Sequence, residues 1–304
     1  MATVSAHAPG LAPDDVLTRS SGRLRWRTGF DTWMGWLLPL LFVVAIFPIL
    51  DLVYYISSRA VPTLTWAILT NSDPTAIDAL GVPIVTTFEI MVVATGLAVL
   101  LGVFGGVATA EFLSPGSAEW IRASANMLAG APSVVVGYFG YIAFVTYFSW
   151  GLSYIAGVVT LSIFMTPYVF RTADLAFSSI PRPIREAALG SGARPSQYVV
   201  RVGAPIAFPQ ILTGVFLAMA IGVGETAPLV LTTTHGVIVP QTIYSPVSFL
   251  TGLIWSDFSS PANSGLQILA FQAAFLLMVI VVGLNIVVRF ISARYRKRLE
   301  GLYQ

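Results

Sequence analysis

From Ala123 to Phe170 the chain contains no charged side chain, and this stretch most restricts how the sequence can fold. It is long enough for two bilayer-spanning helices, each of which needs about 20 predominantly apolar residues. The composition agrees, because 56% of the 304 residues are hydrophobic and only 10% are charged. A typical soluble domain carries about 25% charged residues. We therefore expect an integral membrane protein.

Six apolar runs are long enough to cross a bilayer at the rise of an α-helix. The expected fold is an all-α polytopic membrane protein with six transmembrane helices. The predicted spans are about Trp33–Ile56, Ile84–Ala110, Ile121–Phe148, Ser153–Phe170, Ile206–Leu231 and Leu266–Phe290. Ser149-Trp150-Gly151 is the predicted turn between the third and fourth spans.

The basic residues fall almost entirely on one side of this arrangement. Every Lys and Arg except Arg59 lies before span 1, at the junction of spans 2 and 3, between spans 4 and 5, or at and beyond the end of span 6. Because cytoplasmic loops carry an excess of Lys and Arg, we expect both termini in the cytoplasm. The basic residues thus mark membrane boundaries rather than a nucleic-acid site. The predicted regions are a cytoplasmic tail over 1–32, a transmembrane domain over 33–290 and a basic cytoplasmic tail over 291–304.

The sequence lacks the residues that several kinds of catalytic site require. It contains no cysteine, and His7 and His235 form no His-Glu-x-x-His metal pattern. The only lysine, Lys297, lies between two arginines, so no Gly-Lys-Ser/Thr phosphate loop exists. We therefore expect a chain that holds no metal or cofactor and is not an enzyme by itself.

The loop between spans 4 and 5 has the signals of two short helices. Proline in the first turn predicts one helix over Ile184–Leu189 and a second toward Val202, with a glycine-containing turn between them. The residues that mark these boundaries are Pro183, Gly190, Gly192 and Pro195. Ile184 and Ala188 share one face of the first helix. Such a helix suits either a groove on another protein or the membrane surface.

Within this loop, Glu186-Ala187-Ala188 is followed after three residues by Gly192, and after nine more by Val202-x-Ala204-Pro205. The pattern resembles the EAA loop of ABC importer permeases, with Val202 and Ala204 as conservative departures. The resemblance implies that a coupling loop over 171–205 contacts a cytoplasmic ATP-hydrolysing subunit. Glu186 would fix the loop and contact that subunit, and Gly192 would allow the turn.

Three more stretches narrow the resemblance. They are Pro167-x-x-x-Arg171-Thr172-x-Asp174, Leu128-Ala129-Gly130-Ala131-Pro132-Ser133 and Gly224-Glu225-Thr226-Ala227-Pro228-Leu229. Between about Val82 and Leu231 the chain is similar to the PstA family, permease subunits of the phosphate ABC importer in the bacterial plasma membrane. The resemblance implies a PstC-like second permease, two PstB-like ATPase subunits that bind ATP and Mg, and a PstS-like phosphate-binding protein.

Charged side chains at membrane depth cost about 2.5–3.5 kcal/mol on insertion scales, so each needs a reason. Glu225, next to Thr226, is the main candidate for the substrate path. A carboxylate can accept a hydrogen bond from a phosphate hydroxyl, whereas sulfate near neutral pH has no donor. The alternative is a structural carboxylate bonded to neighbouring helices. Glu89 is a second candidate for the path, or a link between spans.

The sequence departs from the phosphate permeases, which often carry an arginine about one turn before this glutamate. Ile221 and Gly222 occupy those positions, and we expect no arginine inside any span. The cation is then supplied by the second permease, or by Arg171 and Arg59 at the rims. This departure leaves open an ABC importer for sulfate, molybdate or another small anion. A secondary transporter without an ATPase is a separate alternative, which would have no use for the Glu186 loop.

Two features leave structural alternatives open. Gly102 and Gly106 permit close helix contact, either within this chain or with another subunit. The outer loop from Thr232 to Gly265 carries no Lys or Arg. We expect it either to form part of a docking surface for the binding protein or to lie at the lipid interface.

Overall fold

The computed structural model describes residues 13–71, 80–234, 241–261 and 264–300, with side chains described from 33 to 290 outside the same gaps. Every regular element in these ranges is helical, so the expected all-α class is confirmed. In chain order the helices are α1 (Pro13–Ala60), α2 (Trp66–Thr70), α3 (Gly81–Glu111), α4 (Pro115–Ala129), α5 (Ser133–Gly140), α6 (Tyr154–Ser178), α7 (Arg182–Gly190), α8 (Pro195–Tyr198), α9 (Ala204–Gly224), α10 (Ala227–Thr232), α11 (Leu250–Asp257) and α12 (Gly265–Glu300).

Five of the described helical stretches are long and apolar enough to cross a membrane. If a bent pair of helices is counted as one more span, the number of crossings rises to six, which agrees with the predicted number. The five are Trp33–Thr63, Gly81–Glu111, Tyr154–Ser178, Pro195–Gly224 and Gly265–Phe290, and the bent pair is Pro115–Ala129 with Ser133–Tyr147. The chain is therefore a multi-pass membrane protein.

The chain divides into two units, Met1–Tyr55 and Ile56–Gln304. The described part of the first unit is a single helix, which has no core of its own. This helix begins at Pro13 and continues without a break through residue 32, the predicted boundary of the N-terminal tail. The helices α2 to α12 belong to the second unit, and α12 continues from the last span to Glu300. The cytoplasmic location of both tails stays a prediction.

The core of the second unit forms where α3 packs against α6. Ile90, Leu161 and Met165 are almost fully buried there. A Cβ atom at Gly102 would lie 2.9 Å from the backbone nitrogen of Phe170, and one at Gly106 would lie 2.7 Å from its carbonyl oxygen. The glycine pair is thus used for close packing within this chain.

The third predicted span is not one straight helix. α4 and α5 meet at an angle of 98°. The break falls at Pro132, which has no N–H to donate and whose ring restricts Ala131 before it. After the break, α5 continues as a wider π-helical segment through Tyr147. The predicted turn after this span is confirmed, because Ser149 and Gly151 have positive φ angles of 56° and 67°.

Two other spans differ at their ends from the prediction. α6 continues past Phe170 to Ser178, so it includes Arg171 and Asp174. The second short helix of the loop does not end near Val202, since α8, a π-helical segment and α9 run continuously from Pro195 to Gly224. The chain then breaks at Glu225, whose backbone is extended, before α10 begins with Pro228 in its first turn.

The described part of the outer loop packs into the second unit. Phe249, Leu250 and Leu253 are almost fully buried. The hydroxyl of Thr86 donates to the carbonyl of Ser248, and the amide of Leu250 donates to the Thr87 hydroxyl at 3.0 Å. Part of this segment is therefore packed against the bundle, while Trp255 and Phe258 stay exposed; a docking surface and a lipid-interface location both stay predictions. Residues 235–240, which include His235, lie outside the described residues.

Candidate functional site

The predicted coupling helix is present as α7, with Pro183 in its first turn. Ile184 packs against the core cluster that contains Phe177, whereas Glu186 and Ala187 are exposed and Ala188 is half-buried. The helix therefore turns one face to the membrane-spanning helices and the other, with Glu186, away from them.

Gly192 ends the turn after α7 with a φ angle of 88°. This angle lies in the left-handed region, which a glycine adopts without the steric cost that a side chain brings. The predicted turn is therefore confirmed. Pro205, the last residue of the EAA-like pattern, is the second residue of α9 and lies inside the continuous helical run, directly after the π-helical segment.

A buried acid that the sequence did not reveal ties α7 to the end of α3. The guanidinium Nε of Arg185 lies 3.2 Å from Oε2 of Glu111, whose side chain is only 6% exposed. Another nitrogen of the same guanidinium donates to the Glu111 carbonyl at 3.4 Å. In the sequence, the one signal of this contact was the position of Glu111 at the end of the second predicted span, on the same side of the membrane as the arginine-rich loop.

Two sequence stretches that are far apart along the chain meet at breaks in the helices. Ser133, the first residue of α5, lies close to the carboxylate of Glu225. A Cβ atom at Gly137 would lie 2.8 Å from the carbonyl oxygen of Ala227, so α5 and α10 are in direct contact. The break before α5 and the break before α10 therefore lie side by side.

The other predicted path residues differ in how closely they are linked to the helix break at Glu225. Thr226 follows Glu225 directly and is half-buried at the start of α10. The Thr251 hydroxyl donates to the Glu225 carbonyl at 3.1 Å, which links α11 to the break. Glu89 is exposed on α3 and interacts electrostatically with Tyr154. In the part of the chain that the structure describes, no hydrogen bond joins Glu89 to Glu225.

A polar cavity of about 440 Å³ lies between α4, α6 and α9. Its lining includes Arg171, Asn126 and the ion pair of Arg122 with Asp174. Two guanidinium nitrogens of Arg122 donate to the two carboxylate oxygens of Asp174, at 2.8 Å and 2.7 Å. The expectation that no arginine lies inside a span is therefore wrong, because the candidate spans include Arg171 on α6 as well as Arg59, Arg201 and Arg289 nearer to span ends. Arg59 is elsewhere, 5.9 Å from the ring centre of Phe271.

The described residues contain no cluster of three or more His, Cys, Asp or Glu side chains that suits a metal ion. What they contain is an exposed amphipathic helix, a membrane-spanning bundle with paired helix breaks, and a polar cavity with two arginines. These features fit the membrane subunit of a transporter.

Residues 98–297 match the family of binding-protein-dependent transport system inner membrane components. The match covers more than half of the chain, so the protein belongs to this family. The chain is 34% identical over 259 residues to the phosphate transport system permease protein PstA 2 of Mycobacterium bovis, covering 84% of this chain and 86% of the relative. It is 28% identical to PstA of Haemophilus influenzae, covering 90% and 97%. The resemblance to PstA is thereby confirmed.

Solved structures of ABC importers share the fold. A subunit of the MetNI methionine transporter aligns with a TM-score of 0.57 at 18% identity, covering 70% of this chain and 94% of that chain. A chain of a bacterial ABC transporter for alginate import aligns with a TM-score of 0.61 at 15% identity, covering 90% and 99%. These similarities confirm the fold of an ABC importer permease.

Proposed function

We propose that this chain is the PstA-like permease subunit of an ATP-driven importer of inorganic phosphate, and that it forms half of the translocation path. The main support is the contact between the Glu225 stretch and the Ser133 stretch, the two segments in which the sequence most resembles the phosphate permeases. The identity to proteins named phosphate permeases over most of the chain supports the same substrate.

The proposed path uses Glu225, Thr226, Glu89 and Arg171. Glu225 accepts a hydrogen bond from a phosphate hydroxyl, and sulfate is disfavoured because it offers this half-buried acceptor no donor. The freed backbone at the two helix breaks is tolerated at membrane depth because it faces protein or a water-filled path. Arg171 supplies positive charge on the side of the path toward α7.

Coupling in this proposal runs through α7. Glu186, Ala187, Ala188, Gly192 and Pro205 position the helix and its turn, and the exposed Glu186 contacts an ATPase subunit. When nucleotide binding closes the ATPase subunits, α7 moves with them. The pair of Arg185 with Glu111 transmits that movement to α3, and Ile184 transmits it to the core beneath.

The complete importer in this proposal contains a PstC-like second permease, two PstB-like ATPase subunits and a PstS-like binding protein. ATP and Mg bind to the ATPase subunits, and this chain carries out no bond chemistry. It lies in the bacterial plasma membrane with both termini in the cytoplasm, as the distribution of its arginines indicates.

The test is uptake of labelled phosphate by cells that lack the gene and are complemented with wild type or Glu186→Lys. We expect wild type to restore uptake in the presence of excess sulfate, and Glu186→Lys to restore none. Glu119→Lys is the matched control, because Glu119 is also exposed and the charge change is the same. Inhibition of uptake by sulfate or molybdate would show that another anion is the substrate. Full uptake by Glu186→Lys would refute the coupling role.

A further inference from the structure

Arg171 is a charged residue within a membrane-spanning helix, and among the described residues no acid forms an ion pair with it. Its side chain is exposed and lines the polar cavity between α4, α6 and α9. A guanidinium remains charged at any physiological pH, and at membrane depth it needs a counter-charge or water. The cavity supplies the space for either.

The second arginine of the cavity is held in place. Arg122 makes a bidentate pair with Asp174, a residue that is one turn after Arg171 on α6. The pair fixes the Arg122 guanidinium at the cavity wall and neutralises most of its charge. With Asp174 the only acid in the lining, the two arginines leave the cavity with one net positive charge.

The other polar groups suit an oxyanion. The Asn126 side-chain amide lines the cavity and offers two N–H donors. The Thr172 hydroxyl, by contrast, already donates to the backbone carbonyl of Val169 at 2.9 Å. A guanidinium and an amide are donors of the kind that bind a phosphate group, and a cavity of about 440 Å³ has room for one.

The cavity is on the side of the bundle that carries the coupling helix. Arg171 precedes Ser178, the end of α6, by two helical turns, which is about 10 Å. The chain then reaches α7 within a few residues. An anion that passes the Glu225 break would therefore meet this cavity last.

We propose that this cavity binds a phosphate group through Arg171 and Asn126, and that it is the release site of the path. The release role rests on the proposed function, whereas binding does not. Asp174 limits the attraction by occupying Arg122, so that the anion is held weakly enough to leave.

The test measures equilibrium binding of radiolabelled inorganic phosphate to the purified permease pair with its ATPase subunits, in nanodiscs and without binding protein. Arg171→Gln should weaken binding by about tenfold or more, because a charged hydrogen-bonding partner is lost. Asp174→Asn should tighten binding by freeing Arg122. Arg201→Gln, which removes another exposed arginine, should leave binding unchanged.

A variant that fails to assemble is recognised by size-exclusion chromatography. Arg171 is exposed, so replacing it leaves the core intact, and Arg171→Lys should give intermediate binding because it keeps the charge but loses the planar fork. The proposal would be overturned if Arg171→Gln bound phosphate as well as wild type does. It would also be overturned if this variant failed to assemble instead of losing phosphate binding.

Two sources of the phosphate group are separated by repeating the measurement in zwitterionic and anionic lipid. If free phosphate is the ligand, the binding that depends on Arg171 persists in both. If a lipid headgroup is the ligand, anionic lipid abolishes it, and Arg171→Gln loses co-purifying anionic lipid. Absence of any Arg171 dependence in both arms refutes the site.

Phosphate uptake by the same complex, with binding protein and ATP, separates this inference from the proposed function. If wild type accumulates no phosphate, the proposed function fails. If uptake occurs but neither phosphate nor lipid binding depends on Arg171, only the release site fails.

Discussion

The packing of α3 against α6 gives a prediction that can be calculated from one contact. In Gly106→Ala the new Cβ would lie 2.7 Å from the Phe170 carbonyl oxygen and 2.8 Å from the Asp174 amide nitrogen. Ordinary van der Waals contact begins at 3.4 Å, so the two backbones must separate by about 0.7 Å. Both contacts include backbone atoms, which cannot rotate away as a side chain would.

Overpacking of this kind costs about 1–3 kcal/mol. For a chain of 304 residues about 2 kcal/mol corresponds to roughly 3 °C in apparent Tm. The displaced part of α6 carries Arg171 and Asp174, so we also expect slower phosphate uptake.

Gly96→Ala is the matched control, because it makes the same change on the same helix and its Cβ would have no neighbour within 4 Å. The assay is thermal unfolding of the purified complex, followed by the fluorescence of a polarity-sensitive dye. Gly96→Ala should melt at the wild-type temperature or slightly above it, since alanine favours helix over glycine. Equal melting of Gly106→Ala and Gly96→Ala would refute the packing.

Three further predictions concern coupling, the path and orientation. Glu111→Gln should lower the amount of phosphate transported per ATP about fivefold, as expected for loss of an interaction of about 1 kcal/mol. The exchange Glu111→Arg with Arg185→Glu should recover part of this ratio. An unchanged ratio in Glu111→Gln would contradict a coupling role for the pair of Arg185 with Glu111. Glu225→Gln should abolish uptake while the complex still assembles, whereas loss of the assembled complex would show that the carboxylate is structural. The chain has no cysteine, so a single Ser20→Cys should react with an impermeant maleimide only after the cells are permeabilised; reaction in intact cells would place the N-terminus outside.

The sequence predicted those features that depend on local chemistry. Apolar run length identified the spans, and Pro183 and Gly192 identified the coupling helix and its turn, because proline and glycine restrict or free the backbone where they stand. Hydropathy reports how apolar a segment is but not the direction of its helix axis. It therefore could not show that the apolar run around Pro132 forms a bent pair of helices.

Features that depend on contacts between distant residues were missed. Arg171 and Asp174 indicated the end of a span, yet α6 continues because Asp174 is neutralised by Arg122, which lies far away in sequence. The burial of α11 depends on two hydrogen bonds with α3, one from the Thr86 hydroxyl to the Ser248 carbonyl and one from the Leu250 amide to the Thr87 hydroxyl. In the sequence Glu111 looked like an ordinary residue at the end of a span, and only the structure shows that Arg185 lies beside it.

The most direct test of the account measures phosphate accumulation and ATP hydrolysis together, in proteoliposomes that contain the purified importer and its binding protein. The account predicts that wild type accumulates phosphate only with ATP, and that Glu186→Lys loses both accumulation and the ATP hydrolysis that phosphate-loaded binding protein stimulates. Accumulation without ATP, or stimulated hydrolysis that persists in Glu186→Lys, would contradict it.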